Sequence, residues 1–252
     1  VSRQMRVMIY GHGFVGKAHA HALKSKHIVY IRDIAKGFDN VNRPDAAIIA
    51  VSTPIGKDGS CDMSNVYDCI KQIASSTPIL IKSTISLEGW REIKTRWPEK
   101  TISFSPEYLR AARAQDDFKN QDEIQIGGGD ESFWINLLGT VLPLVRFDIA
   151  EAEELILAKY IRNSFLALKV AFFNQAYDLC EKAGVEHTAV SHYVSMDDRI
   201  GDGHTYVTEE RGFGGHCFPK DTSALVASAK VLGYDFSILK EAIEYNDRIR
   251  TK

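Results

Sequence analysis

The chain has 252 residues, enough for one large domain or two modest ones with a substantial buried core. It is 44% hydrophobic and 25% charged, and 31 Lys and Arg against 33 Asp and Glu leave a formal charge of −2. That balance excludes a broad electrostatic grip on nucleic acid or an anionic membrane. No apolar run approaches the roughly 18–20 residues of a membrane span.

The opening residues lead into a strand-like run with no signal-peptide core, and the four cysteines (Cys61, Cys69, Cys180, Cys217) form no CxxC pair. A reduced, cytoplasmic protein is expected. In chain order, strands are predicted at 6–10, 27–32, 46–51, 78–82, 102–105 and 123–127, with helical stretches at 15–23, 64–73, 87–97 and 132–142 between them. Strand alternating with helix implies an α/β domain with a Rossmann-like parallel sheet covered on both faces. From Glu151 to Ala183 an unbroken helical pattern of about nine turns runs to a stop at Gly184. A Gly-, His- and Asp-rich loop, roughly 195–215, leads to a second helical stretch from Thr222 to about Arg250, interrupted at Gly233. The expected domains are therefore 1–149, dinucleotide-binding, and 150–252, all-α on long helices.

Gly11, Gly13 and Gly16 follow the first strand directly, and with Phe14 and Val15 they open a helix. The first glycine permits the tight turn, the second lets a pyrophosphate approach the backbone, and the third lets helix pack on strand. Helix N–H groups and dipole then favour phosphate. Asp33 ends the next strand, twenty-two residues after Gly11, where an acid binds the adenine ribose hydroxyls and selects NAD. Arg32 and Lys36 flank it and leave a 2′-phosphate as the other option. Ligands of an open parallel sheet bind beyond the carboxyl ends of its strands. Those ends read Thr53-Pro54, Ser83-Thr84 and Pro106-Glu107, as in the wall of an active site.

Along the long helix, Lys159 and Asn163 share a face with Leu155, Leu166 and Val170, interrupting an apolar seam. In the segment 212–221, Gly212, Gly214 and Gly215 allow a loop to close on a ligand, and Pro219 and Asp221 mark a helix that starts around Phe218. Cys217 thus stands at a helix N-terminus, where the dipole favours a thiolate nucleophile. The other cysteines read as small buried hydrophobes. His216 lacks a second ligand pair at zinc spacing, so no metal is expected. His19 and His21 read as a solvated helix edge.

GHGFVG at 11–16, Thr53-Pro54, Lys82-Ser83-Thr84, Ser105-Pro106-Glu107-Tyr108-Leu109-Arg110, the Lys159…Asn163 helix, Asp198-Arg199-Ile200-Gly201 and GFGGHCFPKD at 212–221 occur in the order found in the UDP-glucose/GDP-mannose dehydrogenase family. The resemblance covers nearly the whole chain, and the cysteine motif is specific. It implies NAD-dependent oxidation of a nucleotide sugar, UDP-glucose first among them, at the C6 alcohol. The alcohol is taken twice to the uronic acid, through a thioester on Cys217. By position it also implies that Lys159 and Asn163 stabilise oxyanions and that Asp221 orders water and the Lys159 ammonium. Thr84 and Glu107 hold the hydrolytic water, with Glu107 the general base. Tyr108, Leu109, Arg110, Phe213, Gly214 and Gly215 contact the sugar nucleotide, and Arg199 reaches the substrate of a neighbouring subunit. A homodimer is expected through the apolar stripe of the last helical stretch, which carries Leu225, Val226, Ala229, Leu232, Phe236, Leu239, Ile243 and Ile249.

The sequence departs from the family at Ala111, where an acid is usual, and in the short stretch after Asp33. The sequence given ends before the family's C-terminal nucleotide-binding domain, as a naturally short member or a cut chain would, and a weak hold on the base and ribose is expected. Two other readings stand beside the leading one. A β-hydroxyacid dehydrogenase would share Lys-x-x-x-Asn but needs no thiol. A non-catalytic dinucleotide-binding relative would not need Cys217, Lys159, Asn163 and Asp221 together.

Overall fold

The computed structural model describes residues 3–40 and 43–250. By internal contacts it divides into two compact units, 1–54 with 62–157, and 55–61 with 158–252. The division falls inside the longest helix, after Leu157, and the second unit takes in a short hairpin closed by an Ile55–Cys61 bridge.

In the first unit, β1 (Arg6–Tyr10), β2 (Ile28–Asp33), β3 (Phe38–Asp39), β4 (Ala46–Ile49), β5 (Ile79–Ile81) and β6 (Ile102–Phe104) form one sheet in the order β3-β2-β1-β4-β5-β6. All pairs are parallel except β2 with β3. The helices α1 (Phe14–Leu23), α2 (Ser64–Gln72), α3 (Leu87–Arg96), α4 (Ala114–Lys119) and α5 (Glu131–Gly139) alternate with the strands. The continuous apolar runs 7–10, 46–49 and 79–81 of β1, β4 and β5 suit strands covered on both faces, and their side chains are buried almost completely. β3 runs antiparallel because only residues 34–37 separate it from β2, whereas a parallel crossover takes a dozen or more. Gly37, at φ 76°, makes the reversal.

Two features differ from the sequence reading. The predicted strand near 123–127 is β7 (Glu123–Ile126), which does not join the main sheet as a sixth parallel strand. It pairs parallel with β8 (Arg146–Ile149), a strand not anticipated, and touches the main sheet through a Phe104–Gly127 bridge. α5 lays Trp134, Leu137 and Leu138 against Val7, Ile9 and Phe118, which form the centre of this core.

The helix α6 (Ala152–Ala183) ends as its glycine dictates. Gly184 adopts φ 66°, the Val185 N–H donates to the Cys180 carbonyl and the Gly184 N–H to Glu181, a Schellman closure. The segment α7 (His187–Ser195) had read as part of no helix. It forms because Glu186 caps it, accepting from the N–H groups of Thr188 and Ala189 at 2.9 and 2.7 Å. α8 (Phe218–Val231) and α9 (Ser237–Ile249) complete the second unit, broken at Gly233 as expected. Its core joins Ala167, Val170 and Ala171 of α6 to Phe213, Tyr245 and Ile249.

The C-terminal apolar stripe is divided: Leu225, Ala229 and Leu239 are buried and Ile243 and Ile249 pack in that core, while Leu232, with Val231 and Ile238 beside it, is exposed. A further exposed apolar face lies on α6, where Ile161, Phe165, Phe172 and Leu179 fall within about 40° of one another around the helix axis. No helix among the described residues is long and apolar enough to cross a membrane.

Candidate active site

The first unit builds a glycine turn at the ends of β1 and β2. Gly11 has φ 93°, and its N–H donates to the Arg32 carbonyl at 2.8 Å; a side chain there would run into the Ala50 carbonyl. A Cβ on Gly16 would collide with the carbonyl of Gly11, so the third glycine is needed for α1 to pack against the turn. Gly13, the N-cap of α1, has nothing within 4 Å of where its Cβ would stand. The turn therefore offers open space in front of helix N–H groups, which fits a pyrophosphate. Phe14 leans on the core, and the Val15 carbonyl lies 3.0 Å from His19 Nδ1. A cleft of about 450 Å³ is lined by Gly11, Asp33, Val51, Asn65 and Cys69, which suits the adenosine half of a dinucleotide. A second hollow of about 540 Å³ gathers Lys17, Lys36 and Arg113 beside Gly13. The sequence reading had not singled out Lys17 and Arg113; a basic residue right after the third glycine was the available signal.

Asp33 accepts the His12 N–H through Oδ2 at 2.8 Å, tying the acid to the glycine turn. Burial and the nearby Lys17 and Lys36 ammonium groups hold the His12 imidazole below its usual pKa. The two cations flanking Asp33 are engaged. Arg32 pairs with Asp39 at 3.3 Å, and Lys36 donates to the His12 carbonyl at 2.9 Å while standing 3.7 Å from Asp33.

The strand ends form a polar ledge. Thr53 is buried and its Oγ1 donates to the Thr84 carbonyl at 2.7 Å, while Ser83 Oγ donates to the Val51 carbonyl at 2.7 Å. Pro54 closes the next turn by accepting the Asp62 N–H. Beyond β6, Glu107 is buried; its Oε1 accepts the Tyr108 N–H at 3.0 Å and its Oε2 lies 3.2 Å from Lys82 Nζ. Lys82 is buried too and donates to Ser105 Oγ at 2.9 Å and to the Pro106 carbonyl at 3.1 Å. His19 faces the same carboxylate at 3.8 Å and is fully buried, packed on Phe118. It is no solvated edge: α1 turns this position inward, and burial lowers its pKa to about 4. Leu109 packs on the core, and Tyr108 hydroxyl lies 3.4 Å from Gln125. Arg110 spends its guanidinium on Asp117 at 2.6 Å, which draws that half-buried carboxyl down to about 2. Ala111 begins a 3-10 turn.

The second unit holds the thiol. Cys217 is the N-cap of α8 and is exposed, while Cys61, Cys69 and Cys180 are buried as expected. The dipole and first-turn N–H groups of a fourteen-residue helix stand behind it. Pro219 occupies the second helical position. One turn on, Asp221 is almost wholly buried and its N–H donates to the Cys217 carbonyl at 2.8 Å. Its Oδ2 accepts from Asn163 Nδ2 at 2.6 Å, and its Oδ1 accepts from Lys220. Lys159 is buried one turn before Asn163 on α6. The glycine loop is held by amides that the sequence reading missed. Asn246 accepts the Phe213 N–H at 2.6 Å, and Asn174 accepts the Gly212 N–H at 3.0 Å. Gly214 lies where a side chain would meet the Arg250 guanidinium, and Gly215 is open at φ 76°. Arg199 is mostly exposed and pairs with Asp197 at 2.5 Å. Among the described residues no cluster of three His, Cys, Asp or Glu is placed to hold a metal.

Residues 31–138 match the NAD binding domain of the UDP-glucose/GDP-mannose dehydrogenase family, and residues 151–248 match its central domain. The chain belongs to that family. A UDP-glucose 6-dehydrogenase of Rickettsia prowazekii is 35% identical over 238 residues, covering 90% of this chain and 54% of that protein. The chain spans about half the length of the curated relatives it matches. Among solved structures, a UDP-glucose dehydrogenase from Pyrobaculum islandicum superposes with a TM-score of 0.84 at 28% identity, over 98% of this chain and 69% of that one. The fold alone is shared with a 3-hydroxyisobutyrate dehydrogenase of Mycobacterium tuberculosis, at a TM-score of 0.74 and 17% identity over 98% of this chain and 94% of that one. The match to that NAD binding domain makes NAD the cofactor of the first unit.

Proposed function

We propose that this chain carries the NAD-dependent 6-dehydrogenase chemistry of a nucleotide sugar, UDP-glucose in the first instance, ending in the uronic acid. One observation carries the reading: the single exposed cysteine among the described residues caps α8 one turn before a buried Asp221 that Asn163 grips. One-step alcohol oxidation has no use for such a thiol. Bound NAD supplies the hydride acceptor for each oxidation. The glycine turn, with Lys17 and Arg113, holds its pyrophosphate, and Asp33 holds the adenine ribose.

The chain's own residues do the rest. Cys217 Sγ adds to the C6 aldehyde left by the first oxidation, and Lys159 and Asn163 stabilise the oxyanion that forms. Loss of a second hydride leaves a thioester. Glu107 then takes a proton from the attacking water, with Thr84 helping to hold it, as the C–S bond breaks and the thiolate departs. Asp221 keeps Asn163 and Lys220 in position. Tyr108, Leu109, Arg110 and the loop Phe213-Gly214-Gly215 meet the sugar nucleotide, for which Arg110 must exchange its Asp117 partner.

The same reading makes the chain a homodimer, through the apolar face of α6. Arg199, held by Asp197, then serves the partner's substrate. The test is stoichiometry. Purified chain with NAD and UDP-glucose, UDP-N-acetylmannosamine or GDP-mannose should form two NADH per sugar consumed for its true substrate. Cys217→Ala should bind NAD normally and release no uronic acid. Acid made normally by that variant would remove the thioester and favour simple hydroxyacid oxidation.

A further inference from the structure

Resting on that reading, we infer that Lys82 is the positioning residue of the hydrolytic step: its buried ammonium keeps the Glu107 carboxylate charged and aimed. Glu107 sits where water does not solvate it, and an isolated buried carboxylate takes up a proton. Lys82 from the end of β5 and His19 from α1 both face it, with Phe118 of α4 closing over the imidazole.

His19 cannot supply the charge. Its Nδ1 lies 3.0 Å from the Val15 carbonyl, an atom that only accepts, so Nδ1 carries the ring proton. Nε2 then presents a lone pair to Glu107 at 3.8 Å. A second proton would charge the ring only near pH 4, because burial opposes it. Lys82 is placed to supply it. Its Nζ is fixed in a three-point hold by Ser105 Oγ at 2.9 Å, the Pro106 carbonyl at 3.1 Å and Glu107 Oε2 at 3.2 Å. Because Oε1 accepts the Tyr108 N–H, both carboxylate oxygens have fixed directions. The consequence is a base that is ionised at neutral pH despite burial.

The experiment is a carboxyl titration of the cofactor-free chain labelled with ¹³C-glutamate, with Glu107→Gln used to assign the signal. In the wild type, Glu107 should titrate below the ordinary glutamate value of about 4.3. In Lys82→Met it should move up by about two pH units or more, while Lys82→Arg should restore most of the original behaviour. The acid limb of thioester hydrolysis, followed by intact mass, should shift the same way. Lys82→Met should accumulate acyl adduct at pH 7 and lose it at pH 9. An unchanged Glu107 titration in Lys82→Met overturns the inference, as does a wild-type value at or above the ordinary one. The wild-type titration decides alone should Lys82→Met not fold. A Glu107→Gln chain that hydrolyses the thioester normally would instead sink the assignment of the base, and leaves the Lys82 titration result readable in its own right.

Discussion

His19 links burial to acid stability. Its folded pKa of about 4 lies below the ordinary 6.5. Between those values the unfolded chain binds a proton that the native chain refuses, so stability present above pH 6.5 is lost as pH falls towards 4. The loss reaches at most about 3 kcal/mol. His12, His27 and His204 are lowered as well and add smaller slopes of the same sign. Asp45 and Asp117 release their contribution only as pH falls through about 2, outside this window. Urea melts at pH 7 and 4.5 should therefore converge in His19→Gln relative to wild type; equal slopes would mean that His19 is not buried neutral. Asp33 acts through charge and geometry at once. Asp33→Ser should weaken NAD by about ten- to a hundredfold and narrow the preference over NADP. Calorimetry with both cofactors checks it, and tighter NADP binding by the wild type would show Arg32 and Lys36 in control. At this scale the sequence was legible where a motif fixes a residue, as at Cys217 and Asp221. It was opaque at His19, because two histidines near a helix start look alike until the helix is rotated onto its core.

The glycine turn separates packing from binding. Gly16→Ala puts a methyl into the Gly11 carbonyl and should cost about 1–3 kcal/mol of stability. Gly13→Ala meets nothing within 4 Å and should melt like wild type, yet lose NAD affinity at least about tenfold because the methyl occupies the pyrophosphate's approach. Melting curves and NAD titrations distinguish the two; equal effects on stability would contradict the open cradle. Elements with strong punctuation were legible: β1 into α1, and α6 with its stop at Gly184. β8 was not, since Arg146-Phe147-Asp148-Ile149 is four residues with charges on one face and shows its role only when β7 lies beside it. α7 was hidden by an unusual cap, a glutamate in place of Ser, Thr, Asp or Asn.

For the whole molecule, the apolar face of α6 is a feature that intrachain packing leaves over. Phe172 and Leu179 are each about two-thirds exposed, one helical stripe that a second copy of the same stripe would cover. Phe172→Asp should convert a dimer to a monomer in light scattering at micromolar concentration, with NAD binding retained; a wild type that is monomeric there removes the proposal. The apolar count of α8 and α9 was right in sequence, but which face met α6 depended on the fold. The central claim is that Cys217 carries the substrate as a thioester that Glu107 helps water to cleave. Intact-mass spectrometry of Glu107→Gln incubated with NAD and UDP-glucose tests it most directly. The account predicts a uronyl adduct on the protein, mapped to Cys217 and absent from the Cys217→Ala background. Steady acid production by Glu107→Gln with no adduct on Cys217 would contradict it.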